Sequence, residues 1–232
     1  MSLQMIHMEI AYRLLEYLPQ IEHSAEFILG SVAPDAVHMN PNYDVSSKVK
    51  SHLFKNCGMW GDTLDYEQWR SNIETYFKQI AAAQEEPGRR DFEIGICVHC
   101  LTDRWNDIRI WRKAQSEFLP TMTFEAFKEA FYREQRSIDN WLYQNSENTP
   151  QIRKLLAEAG SFEIEHLVDR EELEALRKHL LYVQYDIEKV DITNNRFFTA
   201  EMIEAFMAFT VDAIRETLTE GSAASSKQLF AD

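Results

Sequence analysis

His99 and Asp103 lie four residues apart in the stretch FEIGICVHCLTDRWNDIRIW (Phe92–Trp111), and Asp107 follows four further on. On an α-helix, positions i, i+4 and i+8 line one face, so an imidazole and two carboxylates share a stripe. Ile94, Ile96, Cys97, Val98 and Leu101 surround that stripe and predict a largely buried helix. A buried imidazole and carboxylate need partners, either hydrogen bonds or a metal ion, because leaving them unpaired is costly. Three further residues occupy constrained positions: His7, Asp35 and His52. Imidazole nitrogen with carboxylate oxygen is a donor set for zinc or another first-row divalent ion. Asp103 has two oxygens and could bridge two ions, and two ions can clamp a phosphoryl group and activate a water. Residue types alone also admit a bland reading. His7 can be a core histidine satisfied by a carbonyl, and Asp35 after Pro34 an ordinary cap or turn residue.

These residues are carried by helices. The stripe Leu3, His7, Ile10, Ala11, Leu14, Leu18 predicts a first helix from Leu3 to Leu18 with His7 facing inward. Pro19 stops it, and Ser24 is placed to cap a short helix from Ala25 to Gly30. Asp35 opens a loop that continues past His38 to His52, where SHLF turns back into the core. A helix is expected over 62–83, followed by a turn at Pro87-Gly88. The central helix should start at Asp91 as its cap and run to about Phe118. Gly95 sits one turn before His99. A glycine there costs roughly 1 kcal/mol of helix stability, which another backbone in close approach would explain. Further helices are expected over 124–141, 151–159, 162–187 and 200–218, the last capped by Thr199, with 221–232 a disordered Ser/Ala-rich tail. No strand alternation or repeat is present. The expectation is a single all-α domain, residues 1–220, of seven or eight helices.

Composition narrows the function classes. The formal net charge is −14 over 232 residues, which opposes binding to nucleic-acid backbones and anionic surfaces. Apolar runs fall short of the ~20 residues a transmembrane helix needs, and the N-terminus lacks signal-peptide features. Cys57, Cys97 and Cys100 read as small buried residues, so a reduced, cytoplasmic setting is expected. Among the tryptophans, Trp60, Trp69, Trp111 and Trp141 read as core, and Trp105, beside the ligand stripe, as a pocket wall.

Four pieces in order resemble the zinc-dependent phospholipase C family: H-x-x-IA (His7–Ala11), F-x-x-GSVAPD (Phe27–Asp35), SHLF (Ser51–Phe54) and G-x-x-x-HCLTD (Gly95–Asp103). That family is all-α and distantly similar to the S1/P1 nucleases. The resemblance covers the first half of the chain and implies zinc held by His7, Asp35, His52, His99 and Asp103. It further implies Asp103 as the bridging carboxylate, Asp35 as ligand and catalytic base, and hydrolysis of a small phosphoester or phospholipid head group. Secreted members use a free amino terminus and later His and Glu ligands four residues apart. Here His166 and His179 are the only later histidines and neither has such a partner, so one or two ions are expected, with His38 or Asp107 in support. Two other readings compete. An HD-type phosphohydrolase would carry a His-Asp dipeptide, which is absent; a non-catalytic helical protein would hold a structural metal or none.

Overall fold

The computed structural model describes residues 3–83 and 85–228, with side chains of the last helix described as far as Thr219. Ten α-helices make up the chain among these residues: α1 (Gln4–Leu14), α2 (Ser24–Gly30), α3 (Val45–Ser51), α4 (Tyr66–Ala82), α5 (Pro87–Asn106), α6 (Arg112–Phe118), α7 (Phe124–Asn145), α8 (Thr149–Glu158), α9 (Arg170–Tyr182) and α10 (Ala200–Gln228). The class is all-α, as expected. A two-residue hairpin, β1 (Gly58–Met59) with antiparallel β2 (Asp62–Thr63), is the one paired sheet among the described residues. One apolar cluster runs from Leu3 to Leu218 and gathers the helices around it, the short polar α3 touching it only through partly buried Val49.

The helix count exceeds expectation because α3 forms where a loop was expected and the central helix is split, and neither change carries a proline or glycine signal. Residues 33–39, expected as a loop from Asp35, form a 3₁₀ turn, in which Pro34 is tolerated near the start. The chain 45–51 is helical because Asp44 caps it, its carboxylate accepting from Ser46 N–H. The central helix, expected to run unbroken to Phe118, passes through a wide π turn at Asp107–Trp111. Asp91 does not cap it. That helix begins a turn earlier at Pro87, and buried Asp91 instead accepts from the Glu22 and His23 amides ahead of α2. The stretch 162–187 is helical only over Arg170–Tyr182, capped by Asp169, since Ile164 and Val168 pair as a β-bridge ahead of it. At the C-terminus, α10 continues to Gln228 across residues expected as a tail, and 229–232 lie outside the described residues.

Helices α2 and α5 cross at paired glycines. A Cβ on Gly95 would lie 2.4 Å from the Phe27 carbonyl oxygen, and one on Gly30 2.0 Å from the Phe92 oxygen. The backbone approach expected at Gly95 is therefore present. Gly30, read only as a helix end, is its counterpart.

Helix α1 packs against α2, α5, α7, α8 and α10. Its start is fixed from α7: buried Asp139 accepts from the Met5 and Ile6 amides at 2.9 and 3.3 Å and from the Tyr185 hydroxyl at 3.0 Å. Burial outweighs these hydrogen bonds and pushes the Asp139 carboxyl up to about 6. A carboxyl raised on folding stabilises fully below its unfolded value, and that contribution is lost as pH rises through the folded value. Between about pH 4 and 6 the wild type should therefore lose roughly 2–3 kcal/mol relative to Asp139→Asn. Urea unfolding across that window reads it; a pH-independent difference between the two proteins counts against it.

Candidate metal centre and pocket

Five residues from four segments converge. His7 comes from α1, Asp35 from the 3₁₀ turn, His52 from the end of α3, and His99 with Asp103 from α5. Asp103 Oδ1 lies 3.2 Å from His7 Nε2, and its Oδ2 lies 3.4 and 3.7 Å from His52 and His99 Nε2. Asp35 Oδ1 lies 3.4 Å from His52 Nε2. His7 stacks on His99 with ring centres 3.9 Å apart, and His52 meets His99 edge-on. His7, His52 and His99 are essentially excluded from solvent, whereas the Asp103 side chain retains 16% exposure toward the pocket.

Local structure aims each ring. His99 Nδ1 sits 2.8 Å from the Ser31 carbonyl, just beyond the α2–α5 glycine crossing. A carbonyl only accepts, so Nδ1 carries the proton and Nε2 keeps its lone pair toward Asp103 and His52. His52 follows a helix end in which Phe54 N–H bonds Val49 and Leu53 N–H bonds Lys50, with Leu53 at φ 54°. That is the paired C-terminal closure usually completed by glycine. Its position is anchored from α4, where Trp69 Nε1 donates to the His52 carbonyl and Asn72 to that of Leu53.

The donor set suits a divalent cation. Two groups, His7/His99/Asp103 and Asp35/His52/His99, each place their ligand atoms within 4.8 Å of one another. His52 and His99 present Nε2 to Nε2 at 3.2 Å, and buried His7 Nδ1 has no partner among the described residues. Burial holds His52 below its usual range, aided by Lys48, and His99 well below, aided by His7; both stay neutral and able to ligate. Burial pushes Asp103 up, but His7, His99 and His52 more than reverse this and hold it ionised.

Sequence reasoning missed two residues that grip Asp35. Gln4 Nε2 donates to Oδ2 at 2.6 Å, and Lys48 Nζ to Oδ1 at 3.0 Å. Burial alone would raise Asp35; Lys48, with His38 and His52, brings it well below the ordinary carboxylate range. Gln4 precedes His7 by three residues on the same inward face, so the helical stripe held that signal. His38 Nε2 lies 3.5 Å from Asp35 Oδ1. Asp107 joins neither donor group. The π turn sets it beside the site, where Tyr66 Oη donates to its Oδ2 at 2.8 Å and burial raises its carboxyl.

The site opens into a pocket of about 450 Å³, lined among others by Asp35, Lys48, Trp60, Asp103, Asp107 and Tyr132. Trp105 is not a wall. Two residues beyond Asp103, it points to the other side of α5 and packs edge-on against Phe209. Trp60, read as core, is the wall instead, meeting His52 edge-on at 4.7 Å with Lys48 Nζ over its ring.

No helix among the described residues is long and apolar enough to cross a membrane. No curated protein and no solved structure matches the chain. Residues 6–104, the segment that contributes all five donors, match the family model described as zinc dependent phospholipase C, and this match supports placing the chain in that family.

Proposed function

We propose that this protein is a divalent-metal-dependent phosphoesterase that hydrolyses a small phosphoester or a phospholipid head group. The observation that carries this reading is the pair of donor groups sharing His99 at the floor of an open pocket. A purely structural metal would be enclosed by its ligands, whereas here Asp103 faces the pocket. His7, His99 and Asp103 would hold one zinc ion, or another first-row divalent ion, and Asp35 with His52 a second, Asp103 serving as the bridging carboxylate. When bound, zinc supplies Lewis-acid stabilisation of phosphoryl charge and lowers the pKa of a water.

The chain's own residues do the rest. Asp35 is fixed by Gln4 and Lys48, so its oxygens are set to accept a hydrogen bond from the attacking water and, as catalytic base, to take the proton that water gives up. Lys48 offers a preorganised cation at the pocket floor to the oxygens of the phosphoryl group. Asp107, raised by burial, is the lining carboxyl suited to hold a proton for the leaving oxygen. A cytoplasmic location belongs to the same proposal and is supported by three free, buried cysteines.

The test is a panel of phosphomonoesters and phosphodiesters offered to protein stripped by chelator and then reloaded with zinc. Hydrolysis should disappear on stripping and return with zinc; a zinc-loaded protein that cleaves nothing in the panel refutes the reading. Lys48→Met should lower kcat by about 100-fold, the scale of one lost charge-stabilising donor, while zinc content stays constant. Unchanged kcat would remove Lys48 from the reaction.

A further inference from the structure

The pocket wall opposite the donor cluster comes from α7, outside the segment that matches the family model. Lys128, Tyr132 and Arg136 recur at four-residue spacing along that helix and all line the pocket. The wall is rigid where it meets the rest of the protein. Tyr132 lies against Trp111 with ring centres 6.0 Å apart, and Trp111 Nε1 donates to the Gly61 carbonyl. Buried Phe131 packs edge-on against Trp111 from the same helix, and Asp139, two turns beyond Tyr132, ties α7 to the start of α1.

Charge on this wall runs against the chain as a whole, which carries a net −14. Neither Lys128 nor Arg136 forms an ion pair or a hydrogen bond with another side chain among the described residues; Lys128 lies only over the Tyr132 ring, at 5.9 Å. The carboxylates of the lining are already engaged elsewhere. Asp35 is held by Gln4 and Lys48, Asp103 faces three histidines, and Asp107 receives the Tyr66 hydroxyl. The lining sets the cations Lys48, Lys128 and Arg136 against no more than three carboxylates, so a divalent cation bound at the donor cluster leaves it positive. A cleft of one sign concentrates ligands of the other. A scissile phosphoryl group at the donor cluster would use the charge at the floor, and the two cations on α7 remain for another part of the substrate.

We infer that the α7 wall, through Lys128 and Arg136, selects phosphoesters that carry a second anionic group, a phosphate or a carboxylate, on the arm away from the scissile bond. This rests on the phosphoesterase reading and assigns its substrate class. Lys128 and Arg136 are specificity residues: they touch the substrate's distal group and leave the reacting atoms alone.

A matched pair of chromogenic 4-nitrophenyl phosphodiesters tests it, one arm ending in phosphate and the other in a trimethylammonium group. Zinc-loaded wild type should favour the phosphate arm in kcat/KM by about tenfold, chiefly through KM. The double variant Lys128→Glu/Arg136→Glu should invert that preference, slowing the phosphate-arm ester and speeding the trimethylammonium one. A preference that is absent, or that survives charge reversal, overturns the inference. Calorimetric titration with inorganic pyrophosphate gives a readout independent of turnover. Wild type should bind it about tenfold more tightly than the double variant. Equal binding overturns the α7 assignment, whereas differential binding without hydrolysis of either ester leaves the wall standing and refutes the phosphoesterase reading.

Discussion

Replacing His99 or Asp103 by alanine is expected to abolish tight metal binding, with affinity falling at least about 100-fold. Loss of a supporting group alone costs 10- to 100-fold, and these residues are more central than that. Asp103 lies within 3.7 Å of three imidazoles and His99 belongs to both donor groups, so each substitution touches every ion the site could hold. Elemental analysis of protein purified without added metal is the first measurement. The second is the zinc-dependent thermal shift. At zinc a hundred times its Kd, binding adds about 2.7 kcal/mol, which for a chain of this size raises Tm by roughly 5–10 °C. Chelator should erase that shift in the wild type and do nothing to either variant. Because each alanine also leaves a small cavity, the readout is the zinc-dependent difference and not Tm itself. Variants that keep wild-type metal content and the full zinc shift would sink the site.

How much of this centre could be read from the sequence depended on whether each donor sat in a regular element. His99 and Asp103 were legible because HxxxD on one helix has a fixed geometry. His7 was legible because the apolar stripe of α1 placed it inward. Asp35 and His52 stood out only as donors at constrained turns, and the family resemblance tied them to the others, since the 3₁₀ turn and the short α3 have no apolar period of their own. Lys48 was invisible for that reason. In α3, VSSKVKS offers only two valines, so the turn that brings Lys48 and His52 to the same carboxylate leaves no pattern. Asp91 and Asp139 misled or escaped in a related way. Both serve the start of a different helix across large sequence separations, and local spacing cannot report such a partner. The α7 wall was out of reach too: a lysine, a tyrosine and an arginine on an exposed face look like any solvated helix until the pocket beside them is known.

The second large effect is expected at the glycine crossing. By helix propensity alone, Gly95→Ala should stabilise α5 by about 1 kcal/mol. Geometry says otherwise, because the new Cβ would meet the Phe27 oxygen at 2.4 Å and Gly30 backbone atoms at 2.9 Å. Those neighbours are buried main chain, which cannot rotate aside as a side chain would, so α2 and α5 must separate. Overpacking of a core typically costs 1–3 kcal/mol, and a clash with backbone belongs at or above the top of that range. Net destabilisation of about 2–3 kcal/mol is expected for Gly95→Ala, and more for Gly30→Ala, where the contact shortens to 2.0 Å. The consequence reaches the site, since Ser31 follows Gly30 directly and its carbonyl fixes the His99 ring. Moving α2 away releases His99 Nδ1 and frees the imidazole to change tautomer and tilt. Gly95→Ala should therefore weaken zinc binding as well as stability, by the 10- to 100-fold typical of losing a ligand's orienting hydrogen bond. Urea denaturation and zinc titration on one sample separate the two effects. A variant as stable as wild type would show that the crossing is looser than these distances. One that is destabilised yet binds zinc normally would show that Ser31 does not hold His99 in its ligating orientation.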